Sequence, residues 1–476
     1  MQLDPETCWR ALAARDARFD GRFFVGVSST GIYCRPVCPA RSVRRDHCSF
    51  YPSAAAAEAA GYRPCLRCRP ELAPGNASVD AVARLAGDAM SRIEDGALGE
   101  AGVAQIAAQL GVTDRHLRRV VRSVLGVSPV ELAQTHRLLV AKRLLTDTDL
   151  SVTEVAFASG FSSLRRFNAL FKQRYRLVPT ALRRTRGARP GQRPLACDVA
   201  FRPPLDWPSL CAFLGSRAAR GVEALDGESY LRTVALGKHR GWIRVTPSRA
   251  RSTLRVDLSM SLAPALVPAI ARVKRLFDLS AHPDLIATHL GSLASRHPGL
   301  RVPGAFDGFE VAVRAVLGQQ VSVRAASTMA GRLVAKLGEP VETPVPGLTH
   351  TFPVADRVAS ARVGDLTAMG LTTARAGTLL ALARAVAEGA VDLSPGGDPE
   401  AKMASLVRLD GVGDWTAQYL AMRVFAWPDA FPASDLGIRK ALGETSPRRI
   451  LDLAEPWRPW RAYAAMHLWK SLEKRP

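Results

Sequence analysis

Four of the chain's eight cysteines fall in two tight pairs within its first 70 residues, Cys34-x3-Cys38 and Cys65-x2-Cys68. Four soft sulfur donors at this spacing constrain a short segment more than any apolar pattern could. They predict a closed tetrahedral zinc site rather than a disulfide framework. Spacing alone equally allows a purely structural zinc knot. Arg35, Arg41, Arg44, Arg45, Arg63, Arg67 and Arg69 flank the pairs. Such a field suits a phosphate backbone and counters the negative charge of the site. The rest of residues 1–75 reads as loop-rich, with strands expected around Phe23–Ser28 and Gly31–Cys34. Pro74-Gly75-Asn76 ends it in turn residues. Cys8, Cys48, Cys197 and Cys211 lack ligand spacing and read as small core or surface residues.

The remaining chain is long and basic. At 476 residues it has room for roughly three to four domains. A composition of 47% hydrophobic and 23% charged residues is that of globular domains and excludes disorder throughout. The net charge of +22, of which +12 lies within residues 1–190, points to a polyanionic partner. The abundance of Arg and Ala also fits a GC-rich genome. No apolar run reaches about 18 residues and no secretory signal opens the chain, so a cytoplasmic protein without membrane contact is expected.

From Val79 to about Arg184 apolar residues recur at three- and four-residue spacing, as in helices. One internal repeat stands out. Ile106-Ala107-Ala108-Gln109-Leu110-Gly111-Val112 resembles Val155-Ala156-Phe157-Ala158-Ser159-Gly160-Phe161, with the matching glycines 49 residues apart. Each copy reads as helix, glycine turn and second helix, the small Ala letting the second helix cross closely. Arg115, Arg118, Arg119 and Arg122 follow the first turn on one helical face. Arg165, Arg166, Asn168 and Lys172 follow the second. Basic second helices suit a DNA major groove, although any basic helical pair shares the pattern. A long helix around Pro129–Leu145 joins the copies. Residues 183–194 form a charged Pro/Gly linker. Alternation over Tyr230–Leu236, Gly241–Val245 and Thr253–Leu258 predicts antiparallel strands. Beyond Val302 the pattern is again helical, with loops at Gly338–Pro353 and Ser394–Pro399.

The motifs Thr30-Gly31-Ile32-Tyr33-Cys34-Arg35-Pro36-Val37-Cys38 and Gly61-Tyr62-Arg63-Pro64-Cys65-Leu66-Arg67-Cys68 resemble the N-terminal domain of Ada-type methylation-response regulators. The resemblance implies one zinc ion held by Cys34, Cys38, Cys65 and Cys68. It also implies that Cys34 accepts a methyl group from a methylated DNA phosphate. Zinc keeps a thiol ionised at neutral pH, so a thiolate nucleophile is available. Losing one negative charge on methylation would strengthen backbone binding, for which Arg45 is a candidate. Residues 78–186, above all Ser151–Ser162 with Phe167 and Phe171, resemble the AraC-type DNA-binding domain of promoter activators. Ada-type regulators usually end in a methyltransferase with a Pro-Cys-His-Arg motif. This chain has no such motif, so repair of O6-alkylguanine is not implied.

In the C-terminal half, Leu406–Ala417 fits a helix–hairpin–helix, in which Gly411 and Gly413 would let the backbone approach a phosphate. With Asp435 downstream, residues 302–476 resemble AlkA-type 3-methyladenine DNA glycosylases II. Val316–Val323 and Trp457–Tyr463 carry the match. Residues 195–300 resemble that family's mixed α/β N-terminal domain more weakly. The family implies Asp435 as the catalytic carboxylate, and Trp415, Tyr419 and Trp469 as the aromatic base pocket. Outside this context Asp435 would read as a helix cap and the aromatics as core. The position of a lyase Schiff-base Lys is Trp415, so hydrolysis without lyase activity is implied. No C-terminal cysteine cluster suggests an iron–sulfur centre, and no organic cofactor is implied. Where the family can carry an apolar wedge after Gly-Gln, this chain has Gln320.

The sequence thus predicts a multidomain α+β chain. Its parts are a zinc methyl-acceptor domain (1–75), an AraC-type double helix-turn-helix (78–186), a linker (187–194), a mixed α/β domain (195–300) and an all-α helix–hairpin–helix glycosylase domain (301–476). The expected function joins a methylphosphotriester sensor and transcriptional activator to a monofunctional glycosylase for alkylated bases. Double-stranded DNA and RNA polymerase are the expected partners of a monomeric, nucleoid-associated protein. Two alternatives remain. One is a regulator whose glycosylase half is an inactive DNA clamp. The other is a repair enzyme whose N-terminal half only targets damage.

Overall fold

The computed structural model describes residues 4–16, 19–40, 43–70, 73, 81–94, 102–148, 150–182, 195–248 and 250–473. The turn at Pro74–Asn76 and the linker 183–194 fall outside them. The chain forms two compact units. One comprises Met1–Pro203, Ser248–Lys274 and Leu279–Ala281; the other comprises Pro204–Pro247, Arg275–Asp278 and His282–Pro476.

The first unit opens with α1 (Pro5–Ala13). β1 (Phe24–Val27) pairs antiparallel with β2 (Ile32–Cys34) and β3 (Cys48–Tyr51). After α2 (Ala54–Ala59), β4 (Arg63–Pro64) runs parallel to β2. The strands expected at Phe23–Ser28 and Gly31–Cys34 are β1 and β2. β3 went unforeseen because its four residues, Cys-Ser-Phe-Tyr, are too few for alternation to register. The pairing matters for the metal site. Cys65 N donates to the Tyr33 carbonyl at 3.0 Å, so β4 delivers the second cysteine pair beside the first.

Six helices follow: α3 (Ala81–Glu94), α4 (Gly102–Gln109), α5 (Asp114–Leu125), α6 (Pro129–Asp147), α7 (Val152–Ala158) and α8 (Leu164–Tyr175). Side-chain caps set their starts. Thr113 caps α5 and Ser163 caps α8, while Ser128 with Glu131 and Ser151 with Glu154 close capping boxes on α6 and α7. The repeat is realised as α4–α5 and α7–α8. Gly111 (φ 67°) and Gly160 (φ 83°) take the left-handed conformation that each turn requires. Ala107 and Ala156 are buried at the crossings. The second pair is fixed by edge-to-face rings, Phe161–Phe167–Phe171–Tyr175, with centroids 5.1, 5.4 and 4.8 Å apart.

The zinc segment packs against α6 through polar groups. Glu58, buried on α2, accepts from Tyr33 Oη at 3.0 Å and from Thr135 Oγ1 at 2.9 Å. Lys142 Nζ donates to the Cys65 carbonyl at 3.1 Å, and Ser53 Oγ to the Leu125 carbonyl at 2.6 Å. Arg174 Nη1 reaches the Glu58 carbonyl at 3.4 Å.

β5 (Leu195–Ala200) completes the first stretch of this unit. The second unit then begins with α9 (Trp207–Ser216), β6 (Glu223–Asp226), β7 (Ser229–Leu236) and β8 (His239–Pro247), with β7 antiparallel to both neighbours. β9 (Thr253–Leu258) returns to the first unit and pairs antiparallel with β5, from Leu195 opposite Leu258 to Ala200 opposite Thr253. α10 (Leu266–Leu276), α11 (Pro283–Leu290) and α12 (Ser292–Ser295) follow. The helical remainder is α13 (Gly308–Leu317), α14 (Val323–Leu337), α15 (Ala355–Ala359), α16 (Val363–Thr367), α17 (Thr373–Ala387), α18 (Pro399–Val407), α19 (Asp414–Arg423), α20 (Leu436–Leu442), α21 (Pro447–Ala454) and α22 (Arg461–Ser471). A buried ion network ties α13 to β6 and β7. Arg232 Nη2 lies 2.6 Å from Glu310 Oε2, and Arg314 Nη2 pairs with Glu223 and, at 3.0 Å, with Glu310 Oε1. Alternation located β7 correctly but not this role for Arg232, which is buried with its neighbours on both faces of the strand.

Burial pushes the Glu58 carboxyl up from 4.5 to about 7, against the Thr135 and Tyr33 hydroxyls, Arg174 and Lys142. A carboxyl raised on folding contributes stability below its unfolded value that is lost as pH climbs through the folded one. Denaturant unfolding should therefore weaken between pH 4.5 and about 7, by an amount on the order of 3 kcal/mol. Glu58→Gln should flatten that window, because an amide has no proton to lose across it. An unchanged difference between pH 5 and 7 would refute the assignment.

Candidate functional sites

The sulfurs of Cys34, Cys38, Cys65 and Cys68 all lie within 4.8 Å of one another. Tetrahedral zinc with bonds of about 2.3 Å places its sulfurs about 3.8 Å apart, so this donor set fits zinc. Cys38, Cys65 and Cys68 are buried, whereas Cys34 at the end of β2 is half-buried. Backbone donors support the sulfurs: Arg35 N approaches Cys68 Sγ at 3.4 Å, and Arg67 N approaches Cys65 Sγ at 3.4 Å. Cys8, Cys197 and Cys211 are buried and Cys48 half-buried, apart from the cluster.

One expectation is corrected. Arg35 does not belong to the phosphate-facing field. Its guanidinium is buried, ion-paired with Asp20 through Nη2, bonded to Asp20 Oδ1 through Nε at 2.8 Å, and bonded to the Cys68 carbonyl through Nη1 at 3.0 Å. It braces the metal loops. Desolvating a guanidinium is tolerated only with such pairing. Arg45 remains partly exposed, with Nη2 3.4 Å from Glu6 and its guanidinium 5.7 Å from the ring centres of Trp9 and Phe50. Arg41 lies outside the described residues.

On α5, Arg115, Arg118, Arg119 and Arg122 are all exposed. Arg118 Nε lies 2.9 Å from Asp114 Oδ2, and Arg119 Nη2 lies 2.9 Å from His116 Nδ1. Arg165, Arg166, Asn168 and Lys172 are likewise exposed on α8, while Phe167 and Phe171 point into the core. Each second helix thus presents a cationic face, as the repeat predicted.

The second unit contains a cleft of about 1210 Å³ that brings Gln320, Gly411, Gly413, Trp415, Tyr419, Asp435 and Trp469 together. Asp435 does cap a helix, as the plainer expectation had it: Oδ1 accepts from Gly437 N at 2.8 Å and Ile438 N at 3.1 Å at the start of α20. It also faces the cleft. Trp469 Nε1 donates to Oδ1 at 2.8 Å, and Trp415 Nε1 donates to Oδ2 at 2.8 Å. Oδ1 is saturated by three donors, while Oδ2 has one and keeps acceptor capacity. The aromatics are half-buried and line the cleft, and Trp469 also packs against the core between α20 and α22. Trp415 and Tyr419, one turn apart on α19, stack at 5.3 Å with planes 11° apart, and Trp469 lies 6.4 Å from Tyr419.

Two further residues of the cleft escaped sequence reasoning. Phe213 on α9 and Arg217, the residue that ends it, line its wall. The Arg217 guanidinium sits 3.7 Å from the Phe213 ring centre, and Arg423 Nη1 donates to Tyr419 Oη at 2.8 Å. Burial alone would push the Tyr419 phenol up, but Arg423 and Arg217 outweigh it and hold the phenol below its usual value. No local motif marks α9, because its part in the cleft depends on contacts about 200 residues away in sequence.

Gly411 (φ 82°) is required by packing, since an added Cβ would lie 2.0 Å from Thr378 Oγ1 on α17. At Gly413 nothing lies within 4 Å of an added Cβ, and the residue is exposed at the start of α19, as phosphate approach needs.

Four family models match the chain: the metal binding domain of Ada over residues 7–71, a helix-turn-helix domain over 106–185, the AlkA N-terminal domain over 196–307, and the HhH-GPD superfamily of base excision DNA repair proteins over 313–447. A Mycobacterium tuberculosis protein named as a probable bifunctional transcriptional activator/DNA repair enzyme AlkA is 42% identical over 99% of this chain and 97% of its own length. Escherichia coli DNA-3-methyladenine glycosylase 2 is 38% identical over 56% of this chain and 95% of its own. The Escherichia coli bifunctional transcriptional activator/DNA repair enzyme Ada is 35% identical over 33% of this chain and 43% of its own. The order of modules, the four-cysteine cluster and the near full-length match agree, and the chain belongs to the family of AlkA-type bifunctional transcriptional activators and DNA repair enzymes.

Proposed function

We propose that the chain senses methylated DNA phosphates through its zinc segment, activates transcription through its paired helix-turn-helix, and excises alkylated bases such as 3-methyladenine through its second unit. The observation that carries the excision activity is the Asp435 carboxylate, fixed by two indole N–H groups inside an aromatic cleft. N-glycosidic cleavage develops positive charge on the sugar, which a preorganised carboxylate stabilises. Asp435 Oδ2 is the oxygen with capacity to face that charge and to orient the attacking water. The alkylated base departs with the bonding electron pair, which neutralises its own positive charge, so no general acid is needed. Trp415, Tyr419 and Trp469 offer electron-rich faces to a cationic base. Trp415 occupies the place a Schiff-base Lys would need, so the reaction ends at hydrolysis.

In the zinc segment we assign the acceptor role to Cys34, which is half-buried where the other three cysteines are buried. Zinc, when bound, keeps the four sulfurs ionised. A Cys34 Sγ lone pair forms the bond to the methyl carbon, the carbon–oxygen bond breaks, and the phosphodiester oxygen leaves with its electrons. Four thiolates and Zn²⁺ carry −2; after transfer the charge is −1, which favours binding to DNA through Arg45 and the exposed α5 and α8 arginines. The thioether is not reversed, so each molecule reports once. RNA polymerase as partner of the activator, a monomeric state and a cytoplasmic, nucleoid-associated location belong to the same proposal. Among the described residues no helix is long and apolar enough to cross a membrane.

Release of 3-methyladenine from methylated duplex DNA should fall by about a hundredfold or more in Asp435→Asn. No release by folded, zinc-loaded wild type would favour a regulator whose second unit is a DNA clamp. Cys34→Ser should abolish transfer of a labelled methyl group from a methylphosphotriester oligonucleotide. Persisting label on the protein would move the acceptor to another cysteine.

A further inference from the structure

The loop Gly318–Ser322 joins α13 to α14 at the mouth of the cleft. Its centre, Gln320, is exposed and has φ 54°, a left-handed state uncommon for a residue with a Cβ. The preceding residue is anchored. Gln319 Nε2 donates to the Gly411 carbonyl at 2.8 Å and to Thr416 Oγ1 at 3.2 Å. Arg375 Nη2 donates to the Gln319 carbonyl at 2.6 Å. That carbonyl shares its peptide plane with Gln320 N, so holding it fixes one side of the rotation that sets the Gln320 φ.

The anchor is rigid. Arg375 lies on α17, the helix whose Thr378 leaves no room for a Cβ at Gly411. Helix, hairpin and loop are therefore tied at one point. Beside Gln320, Val321 and Val323 are exposed, and Leu436, next to Asp435, is 64% exposed. A polar side chain with apolar flanks thus lines the same cleft as the Asp435 carboxylate.

The geometry points to Arg375 and Gln319 as positioning residues, which hold Gln320 ordered so that it enters the gap left in the base stack when a damaged nucleotide swings out. This rests on the proposed excision activity. Ordering the loop in advance removes an entropy cost that would otherwise fall on base extrusion. Neither residue touches the reacting atoms.

The test compares single-turnover excision on two duplexes, one with the alkylated base normally paired and one with it opposite an abasic site, where less stacking and pairing must be broken. Arg375→Met should slow the paired substrate by about tenfold or more and the unpaired one by less than about threefold. Arg375→Lys, which keeps a donor in reach, should recover most of the paired rate. Fluorescence of 2-aminopurine beside the lesion should show slower extrusion in Arg375→Met. Equal losses on both duplexes, or an undisturbed paired rate, would overturn the positioning role. Wild type inactive on both would instead overturn excision itself.

Discussion

The second unit is organised around the Asp435 carboxylate. Four donors converge on it, two from the backbone of α20 and two from indoles on α19 and α22. A helix cap needs only the first two. The indoles add orientation, because a carboxylate fixed at both oxygens cannot rotate away from the cleft. Each indole in turn is placed by its own helix, so the active geometry depends on the relative position of three helices rather than on a loop. The buried Arg232–Glu310–Arg314–Glu223 network serves the same end, holding α13 and its following loop in register with β6 and β7. Networks of this kind add little net stability over apolar packing, but they penalise any shift that would separate the partners.

Much of this was legible in the sequence where chemistry is local. The two cysteine pairs, the two glycine turns with basic helices behind them, and the hairpin before Asp435 are each defined within a few residues, and each forms as read. What was not legible depends on distant contact. Phe213 and Arg217 enter the cleft from a helix with no motif. Arg35 sits among arginines that look alike in sequence, and only the buried Asp20 beside it makes it a brace rather than a phosphate contact. The packing of Gly411 against Thr378, which excludes a side chain there, also comes from a residue more than 30 positions away.

Asp435 joins two structural roles in one side chain. The residue is a helix cap and a cleft carboxylate at once, and the two roles do not compete. The cap uses Oδ1, leaving Oδ2 with a single donor and room for a further contact. A helix N-terminus is a natural place for an anion. Aromatic side chains then turn that place into a pocket.

Sequence divides the first unit after residue 75, yet its hydrogen bonds do not respect that boundary. Glu58, Ser53 and the Cys65 carbonyl on one side are satisfied by Thr135, Leu125 and Lys142 on the other. Cutting the chain between them would take Thr135 from the Glu58 carboxyl, leaving it Tyr33 alone of its two hydroxyl donors, and would take the Cys65 carbonyl from Lys142. Recombination that exchanges the sensor between proteins must therefore carry with it the helices α5, α6 and α8 that supply these partners, or replace the partners in the same event. The piece that can be inherited whole is the sensor together with the helices of the reader that meet it.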